Sequence, residues 1–334
     1  MASEVTIDEQ RCFGCGYCVQ FCPRGCLERK GDKISPLGYV LPELIKTEQC
    51  NACGACAWIC PRWAIEVDSS FEGQGKAANR KRVAGAPGLA LDPPLAGCPG
   101  CQHPTVGRMI IQVTEELGIS DKVIALDGIP CSISSAFGMD FGQKLAYDES
   151  ASDLATAIKR ASPDSAVIAV QGYWGFSDFS FDVRSLIGAL IRGEKFTVIL
   201  CNTPFYGPKE GRPAPIAEPI GGRLEPVTRI KTAEGQKLIV GGFPLHNAEL
   251  VATFKGVAYS ARGAITSLKD YQLTKSYIRT AIRKQMDDVG LSFVEVLCPC
   301  SDPTYSAPVD CLKWIRERMV TEFPLREFKN QRKD

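Results

Sequence analysis

The 334-residue sequence predicts two structural classes in one chain, a small α+β domain followed by an α/β domain with an open parallel sheet. A cysteine motif that occurs twice predicts the first class, and each cysteine of the second copy lies 38 residues after its counterpart, as Cys50 does after Cys12. Short apolar segments that alternate with longer segments of helical spacing beyond Gly97 predict the second class. Such alternation favours a parallel sheet with helices on both faces.

The composition argues against several classes of function. The 39 Lys and Arg residues balance 38 Asp and Glu residues, so no basic excess is available to bind nucleic acid. The sequence has neither a long apolar run nor a basic and apolar leader, and we therefore expect no membrane span and a cytoplasmic protein. In that reducing compartment the 16 cysteines indicate metal or redox chemistry rather than disulfides.

The repeated motif reads C-x2-C-x2-C-x3-C-P, which is the spacing of a bacterial-type ferredoxin with two 4Fe–4S clusters. Three close cysteines bind one cluster, and the fourth, which precedes proline, binds the other. The expected ligands are Cys12, Cys15, Cys18 and Cys60 for one cluster, and Cys50, Cys53, Cys56 and Cys22 for the other. Zinc is the main alternative, but a zinc site has no use for a third cysteine in the same turn. Cys26 lies outside the pattern, and we interpret it as a buried or incidental thiol.

The limits of the domains follow from changes in composition. The apolar segments around the motifs are too short to enclose a core, so we expect metal bonds to hold this region together. Gly, Ala and Pro then become frequent and no periodicity is sustained, as in a linker. The expected domains are a two-cluster domain at 1–68, a linker at 69–97, an α/β domain at 98–320 and a C-terminal tail at 321–334.

Four apolar segments of the α/β domain are expected to form buried parallel strands. They lie at 122–126, 165–170, 196–200 and 292–296. The expected helices lie at 104–117, 151–160, 183–192, 273–286 and 309–319. Ligands of such sheets bind at the carboxyl ends of the strands. The proline-rich segment 203–226 follows one of these ends, and a connection of that length inside a domain is more often functional than filler.

Further cysteines lie at strand ends or in loops of this second domain. Cys98 and Cys101 precede its first helix, and Cys131 follows its first strand. Cys298 and Cys300 follow its last strand. Because the carboxyl ends of parallel strands share one edge of the sheet, four of these thiolates can complete a third cluster. The expected ligands are Cys98, Cys101, Cys131 and Cys300. By spacing alone, zinc binding or burial without a metal stays open as the alternative.

Four segments of this region resemble the thiamine-diphosphate-binding (β) subunit of 2-oxoacid:ferredoxin oxidoreductases. They are CPGCQH at 98–103, DGIPCS at 127–132, ILCNTPFYG at 199–207 and VEVLCPC at 294–300. The CPGC-x-H form is particularly similar to the indolepyruvate branch. The resemblance implies an α/β fold of the thiamine-diphosphate-binding type and a proximal 4Fe–4S cluster. That cluster is implied to be held by Cys98, Cys101, Cys131 and Cys300, with Cys298 at a non-ligand position from which it could substitute.

The resemblance also implies a pocket for thiamine diphosphate and Mg²⁺, an ion that prefers oxygen ligands. The family supplies them from Gly-Asp-Gly after one strand and from a later Asp-Asn pair, and this sequence departs at both places. Gly172 is followed by Asp178 as the next carboxylate, whereas Asn202 and Thr203 take the positions of the pair. Either Asp178 and one of these two residues hold the metal, or the pocket has lost it, with Asp178 beginning a helix. His103 is expected at the diphosphate or the cluster, with helix capping as the alternative.

The function implied by the resemblance is the oxidative decarboxylation of a 2-oxoacid to acyl-CoA, with coenzyme A taking the acyl group. Electrons would pass through the proximal cluster and the two N-terminal clusters to an external ferredoxin or another acceptor. Pyrimidine-binding subunits (α- or γ-type) are implied as partners, in an anaerobic cytoplasm. The alternative is a non-catalytic electron-transfer subunit with a degenerate pocket. A third hypothesis is a ferredoxin fused to a regulatory module.

Overall fold

The computed structural model describes most of the chain. The described residues are 3–71, 79–84, 99–128, 144–146, 151–172, 183–202, 218–220, 223–225, 228–231, 237–240, 245–299 and 308–332. They form two compact units. The cysteine-rich unit runs to Arg108 and includes residues 308–310, and the sheet unit contains the other described residues from Met109 onward.

The cysteine-rich unit has α+β structure. Its elements are strand β1 (Ser3–Ile7), helix α1 (Tyr17–Gln20), strands β2 (Leu27–Glu28) and β3 (Glu43–Leu44), helix α2 (Ala55–Ile59) and strands β4 (Ile65–Phe71) and β5 (Asn79–Ala84). Strands β1, β4 and β5 form an antiparallel sheet in that order, and β2 pairs with β3. A short 3₁₀ helix (Thr47–Gln49) precedes the second cysteine motif. Helices α1 and α2 occupy the same place in the two copies, and each carries the third cysteine of its motif.

A glycine in the left-handed conformation begins each of these helices. Gly16 precedes α1 with φ 82°, and Gly54 precedes α2 with φ 77°. A side chain at Gly54 would also bring its Cβ to 3.0 Å from Cβ of Ala84. Glycine adopts this conformation without the steric cost that a Cβ atom brings. The repeat therefore keeps glycine at both positions because the turn into each helix requires it.

The core of the cysteine-rich unit is small. Its buried members are Cys12, Cys18, Leu27, Leu41, Cys56, Ala57, Cys60, Ala64, Ile65, Val67 and Ala84. Four of these eleven residues are predicted cluster ligands, so few larger apolar side chains are left to bury surface. A unit with so little apolar core needs another source of stability, which bonds to metal would supply.

The sheet unit follows the α/β pattern. Its elements are α3 (His103–Leu117), β6 (Val123–Gly128), β7 (Lys144–Ala146), α4 (Ala151–Ala161), β8 (Ala166–Gly172), α5 (Val183–Arg192), β9 (Thr197–Asn202), β10 (Glu218–Ile220), β11 (Arg223–Glu225), β12 (Thr228–Lys231), β13 (Lys237–Val240), α6 (Asn247–Ala252), β14 (Val257–Ala264), α7 (Leu268–Met286), β15 (Leu291–Leu297), α8 (Pro308–Trp314), α9 (Val320–Glu322) and β16 (Arg326–Asn330). A 3₁₀ turn (Ser120–Lys122) precedes β6, and a π-helical turn (Ile315–Met319) joins α8 to α9. The boundaries between the two units fall within α3 and α8.

Among the described residues, seven strands form the main sheet, in the order β16-β14-β15-β9-β8-β6-β7. Neighbouring strands from β14 to β7 run parallel, and β16 is an antiparallel edge strand. Every residue of β8, β9, β14 and β15 is buried, as expected for strands that are covered on both faces. The predicted fold class, an α+β cysteine-rich part and an α/β part with an open parallel sheet, is confirmed.

The four predicted strands correspond to β6, β8, β9 and β15, and the five predicted helices to α3, α4, α5, α7 and the segment from α8 to Met319. Strand β14 was missing from the prediction. Residues 326–330, within the expected tail, form β16, and residues 79–84, within the expected linker, form β5. The domain limits themselves stay a prediction. None of the helices that the structure describes is both long and apolar enough to span a bilayer.

Candidate functional site

Site I consists of Cys12, Cys15, Cys18 and Cys60, whose sulfur atoms influence one another electrostatically. Burial raises the pKa of the Cys15 thiol to about 12, and negative charge on Cys60 and Cys12 adds to this effect. Burial also raises the pKa of Cys18 well above its ordinary value, with further contributions from the other three cysteines. Thiolates gathered in one buried place need positive charge between them. The donor set therefore fits an iron–sulfur cluster.

Site II is a cavity of the cysteine-rich unit lined by Cys22, Cys50, Cys53 and Cys56. Apolar side chains complete its wall, among them those of Val5, Leu27, Leu44 and Val67. Burial and, to a smaller extent, negative charge on the other three cysteines raise the pKa of the Cys56 thiol to about 12. The structure thus brings together the same two sets of four cysteines that the motif spacing predicted. In each set, the fourth cysteine comes from the other copy of the motif.

Backbone N–H groups donate to ligand sulfurs at both sites. In site I, Gly14 donates to Cys12 Sγ at 3.4 Å, and Ala64 donates to Cys60 Sγ at 3.3 Å. In site II, Cys26 donates to Cys22 Sγ at 3.2 Å. Such bonds withdraw negative charge from the sulfur atoms and tune the reduction potential of a cluster.

Residues 99–101 lie in the same unit as site I. The Tyr17 hydroxyl, which is fully buried, donates to the Gly100 carbonyl at 2.7 Å. Arg62 is only 8% exposed. Burial lowers the pKa of Arg62, whereas negative charge on Cys60 and Cys101 acts in the opposite direction. The guanidinium group therefore lies within electrostatic range of both sulfur atoms, so it connects site I with the Cys101 side chain.

The expected ligands of the third cluster are described only in part. Burial raises the pKa of Cys101 to about 11, while a hydrogen bond from the His103 backbone and the charge of Arg62 lower it. His103 begins α3 and is 5% exposed. The remaining expected ligands, Cys98, Cys131 and Cys300, lie outside the described residues. Cys298 is fully buried directly after β15 in the sheet unit.

Two of the residues that are expected to bind the cofactor are the last residues of neighbouring strands in the sheet. Gly172 is the last residue of β8 and Asn202 the last residue of β9, and Gly172 pairs with Cys201 in the parallel register. Both are buried. Asp178 and Thr203 lie outside the described residues. The structure therefore places Gly172 and Asn202 at one edge of the sheet and leaves the other two as predictions.

The side-chain amide of Asn202 is held in one orientation. Its Nδ2 donates to Glu295 Oε1 at 2.6 Å, and Glu295 Oε2 accepts from Arg262 Nε at 2.8 Å. A carboxylate paired with arginine can only accept, so the NH₂ group of Asn202 must face Glu295. Its Oδ1 atom is buried and has no hydrogen-bond partner among the described residues. A buried carbonyl oxygen of this kind is an available ligand for a hard cation.

The sequence analysis missed the charged network behind this amide. Arg262 and Glu295 are both fully buried, and Arg262 Nη1 also donates to Glu249 Oε1 at 2.8 Å. Burial alone would lower the pKa of Arg262, but the carboxylates of Glu249 and Glu295 raise it. The one available signal was the acidic residue inside the otherwise apolar segment VEVL of β15.

Comparison with known proteins adds three findings. Residues 4–61 match the family model of the 4Fe-4S dicluster domain. The chain is 27% identical over 234 residues to the ketoisovalerate oxidoreductase subunit VorA of Methanothermobacter thermautotrophicus. The aligned region covers 70% of this chain and 47% of that subunit. It is 28% identical over 216 residues to the 2-oxoacid:ferredoxin oxidoreductase subunit beta of Saccharolobus solfataricus. That aligned region covers 63% of this chain and 62% of that subunit.

Among solved structures, the chain is similar to a 2-oxoglutarate:ferredoxin oxidoreductase from Magnetococcus marinus with 2-oxoglutarate, coenzyme A and succinyl-CoA bound. The TM-score is 0.49 at 19% identity, over 74% of this chain and 84% of that one. The chain spans about half the length of the ketoisovalerate oxidoreductase subunits that it matches. The predicted resemblance is confirmed: the N-terminal part matches the 4Fe–4S dicluster domain, and the chain is similar in sequence to oxidoreductase subunits of the 2-oxoacid:ferredoxin type.

Proposed function

We propose that the chain is the cluster-carrying, thiamine-diphosphate-binding subunit of a 2-oxoacid:ferredoxin (or other acceptor) oxidoreductase. Its reaction is the oxidative decarboxylation of a 2-oxoacid to acyl-CoA. The observation that carries this proposal is the presence, in one unit, of two sites of four cysteines together with the buried Cys101. The names of the curated relatives support the same class of substrate.

Three 4Fe–4S clusters are proposed. Site I and site II hold two of them, and the third is held by Cys98, Cys101, Cys131 and Cys300. Support for the third comes from the buried Cys101 thiol, which accepts a backbone hydrogen bond from His103 and lies within electrostatic range of Arg62. Clusters of this type supply one-electron transfer when they are bound. The contribution of this chain is to hold the sulfur ligands and to supply hydrogen bonds and positive charge beside them.

Site II is proposed to face the external acceptor. Three of its four cysteines are partly exposed, whereas three of the four in site I are buried. Site I is also the one that Tyr17 and Arg62 connect with the CPGC segment. Electron carriers exchange most readily where the ligands approach the surface. We therefore expect an external ferredoxin to dock beside site II.

The edge of the sheet at Gly172 and Asn202 is proposed to hold thiamine diphosphate and Mg²⁺. Asp178 is proposed as the carboxylate ligand of the metal and Asn202 Oδ1 as the second oxygen ligand, with Thr203 as the alternative to Asn202. When bound, thiamine diphosphate supplies the nucleophilic carbon that makes decarboxylation of a 2-oxoacid possible. The tasks of this chain's own residues are to orient the metal-binding amide through Glu295 and to keep water out of the buried strand ends.

The proposal also includes partner subunits. The family pattern places the pyrimidine-binding side of the cofactor on α- or γ-type subunits, so this chain is expected to act in a heteromeric complex with coenzyme A as acyl acceptor. An oxygen-poor cytoplasm is the proposed compartment, because partly exposed clusters are readily oxidised.

The test is to purify the complex without oxygen and to measure iron, thiamine diphosphate and magnesium per chain. We expect twelve iron atoms, as three clusters of four require, together with one thiamine diphosphate and one magnesium ion. Eight iron atoms would contradict the third cluster. Absence of thiamine diphosphate from a complex with full iron would contradict the catalytic proposal.

A second candidate function is a non-catalytic electron-transfer subunit. The observation that favours it is the segment after β8, in which Gly172 is followed by aromatic residues where the family has Gly-Asp-Gly. Full iron content without thiamine diphosphate is the outcome that this alternative predicts, so the same measurement separates the two.

A further inference from the structure

One face of the main sheet changes from apolar to polar at the carboxyl ends of its strands. The apolar core on this face includes Ala169 of β8 and Leu200 of β9. Gln171 and Asn202 each lie two residues further along the same strands. Alternate residues of a strand share a face, and Gln171 pairs with Leu200 in the parallel register. The two amide side chains therefore lie on one face of the sheet, on neighbouring strands.

The Gln171 side chain is buried and leaves one of its polar atoms without a partner. The residue is 3% exposed. Its Nε2 donates to Ser152 Oγ in the first turn of α4, at 3.4 Å. Its Oε1 is buried and has no hydrogen-bond partner among the described residues, as is the case for Asn202 Oδ1. Two neighbouring side chains thus each present a buried carbonyl oxygen to the same edge of the sheet.

The chemistry of these two atoms indicates what they would bind. A buried acceptor that makes no hydrogen bond is costly, so the pair is best explained by a group that satisfies both atoms. A single N–H or O–H donor satisfies one carbonyl oxygen. A hard divalent cation binds several oxygen atoms at once, and side-chain amide carbonyls are among its usual ligands in proteins.

We propose that Gln171 is a further oxygen ligand of the divalent cation at this edge of the sheet, beside Asn202. The inference rests on the proposed function, because the cation is the one that would accompany thiamine diphosphate. Gln171 and Asn202 are uncharged, and the affinity of a cation site depends on the charge of its ligands. We therefore expect the cation to bind much more tightly when the diphosphate is present.

The test is a titration with Mn²⁺, which prefers the same oxygen ligands as Mg²⁺. The complete complex, purified without oxygen and freed of divalent cations, is titrated with and without thiamine diphosphate, and free Mn²⁺ is measured by EPR. Gln171→Met keeps the length of the side chain but has no oxygen atom. We expect it to raise the half-saturating Mn²⁺ concentration at least about tenfold, since even outer hydrogen-bond partners of metal ligands have effects of that size.

Gln171→Glu separates a metal ligand from a hydrogen-bond donor. A carboxylate in place of the amide is expected to bind Mn²⁺ more tightly than the wild type does. If the N–H₂ group of Gln171 instead faced the diphosphate, the same change would place two negative groups together and weaken binding. Weaker or unchanged binding by Gln171→Glu would therefore overturn the proposal. This variant decides the matter if Gln171→Met does not fold, which iron per chain reports.

Ser152→Ala is the matched control, because it removes the partner of Gln171 Nε2 and leaves Oε1 in place. We expect its Mn²⁺ affinity to stay close to that of the wild type. An equal loss in Ser152→Ala and Gln171→Met would show that Gln171 acts only through its contact with α4. A wild-type complex that binds neither Mn²⁺ nor thiamine diphosphate would contradict the proposed function and this inference with it. Cofactor binding that is unchanged in Gln171→Met would overturn the inference alone.

Discussion

Asn202 and Glu295 are the residues on which the proposed cofactor site depends most directly. They lie 93 residues apart in the sequence and are joined by a hydrogen bond of 2.6 Å. Glu295 holds the amide in place because it is itself held by Arg262 and by the Ala248 backbone N–H, 3.4 Å away. A glutamine at position 295 can donate as well as accept, so it would no longer dictate which way the Asn202 amide points.

We expect Glu295→Gln to raise the Mg²⁺ concentration needed to retain thiamine diphosphate about tenfold, which is the scale of outer hydrogen-bond partners of metal ligands. The variant should also be less stable, because Arg262 loses one of its carboxylates. Thiamine diphosphate that survives desalting at graded Mg²⁺ concentrations is the measurement.

Thr197→Val is the matched control for this variant. Thr197 is buried on the same strand, β9, and donates to Gln285 at 3.1 Å, far along the strand from Asn202. We expect it to lower stability without altering the Mg²⁺ requirement. If Glu295→Gln retains the cofactor at the wild-type Mg²⁺ concentration, Glu295 does not position the amide.

Local and long-range residues of the candidate site differ in how far the sequence predicts them. The ligands of site I and site II could be predicted from the cysteine spacing. Three ligands of each site come from one copy of the motif, and the fourth is the last cysteine of the other copy. Arg262 and Glu295 are brought together only by the pairing of β14 with β15. No local pattern marks such a pair, since each charge is tolerated in the core only because the other is there.

At the scale of elements, the turn into helix α2 explains why glycine recurs before the third cysteine of each motif. Gly54 has φ 77°, and a Cβ there would lie 3.0 Å from Cβ of Ala84 and 3.4 Å from the Trp58 ring. Gly38 has φ 82° but no atom within 4 Å of the same position. The two glycines therefore separate the effect of backbone strain from that of steric contact.

We expect Gly38→Ala to cost about 1 kcal/mol of stability, which is the strain of a left-handed residue with a Cβ atom, and to retain all of its iron. Gly54→Ala adds the contact with Ala84 to the same strain. Either β5 at Ala84 or helix α2, which carries Cys56, must then shift slightly, and we expect a loss of iron from site II. Iron per chain and the EPR spectrum of the reduced complex are the measurements. Equal iron content in both variants would show that contact at Gly54 is unimportant.

The strands show which elements the apolar pattern of the sequence can predict and which it cannot. Strands β8, β9 and β15 could be predicted because they are short, mostly apolar segments. Strand β14 is equally buried, but its sequence VAYSARGA includes serine and arginine. These polar groups are satisfied by distant residues: Ser260 donates to the Ala248 carbonyl at 2.6 Å, and Arg262 pairs with Glu249 and Glu295. The start of α7 was also missed, because its N-cap Ser267 precedes the apolar periodicity.

At the scale of the whole molecule, the two units differ in what stabilises them. The sheet unit has an extensive apolar core that includes Val167, Leu186, Phe196, Val198 and Phe293, all buried. In the cysteine-rich unit, predicted metal ligands occupy much of the core. Where the apolar core is small, the free energy of metal binding contributes directly to the free energy of folding. A unit with a large apolar core is stabilised by burial of apolar surface and does not depend on metal in this way.

Removal of iron should therefore affect the two units differently. We expect an iron chelator, added to the reduced complex, to abolish hydrogen-exchange protection in β1, β4 and α2 while β8, β9 and β15 stay protected. Peptide-level hydrogen exchange followed by mass spectrometry measures both units in one sample. Chelation of magnesium alone is the control and should leave β1 and β4 protected. Persistent protection of β1 and β4 after complete loss of iron would mean that the small core suffices, and that the cysteines contribute as buried side chains rather than as ligands.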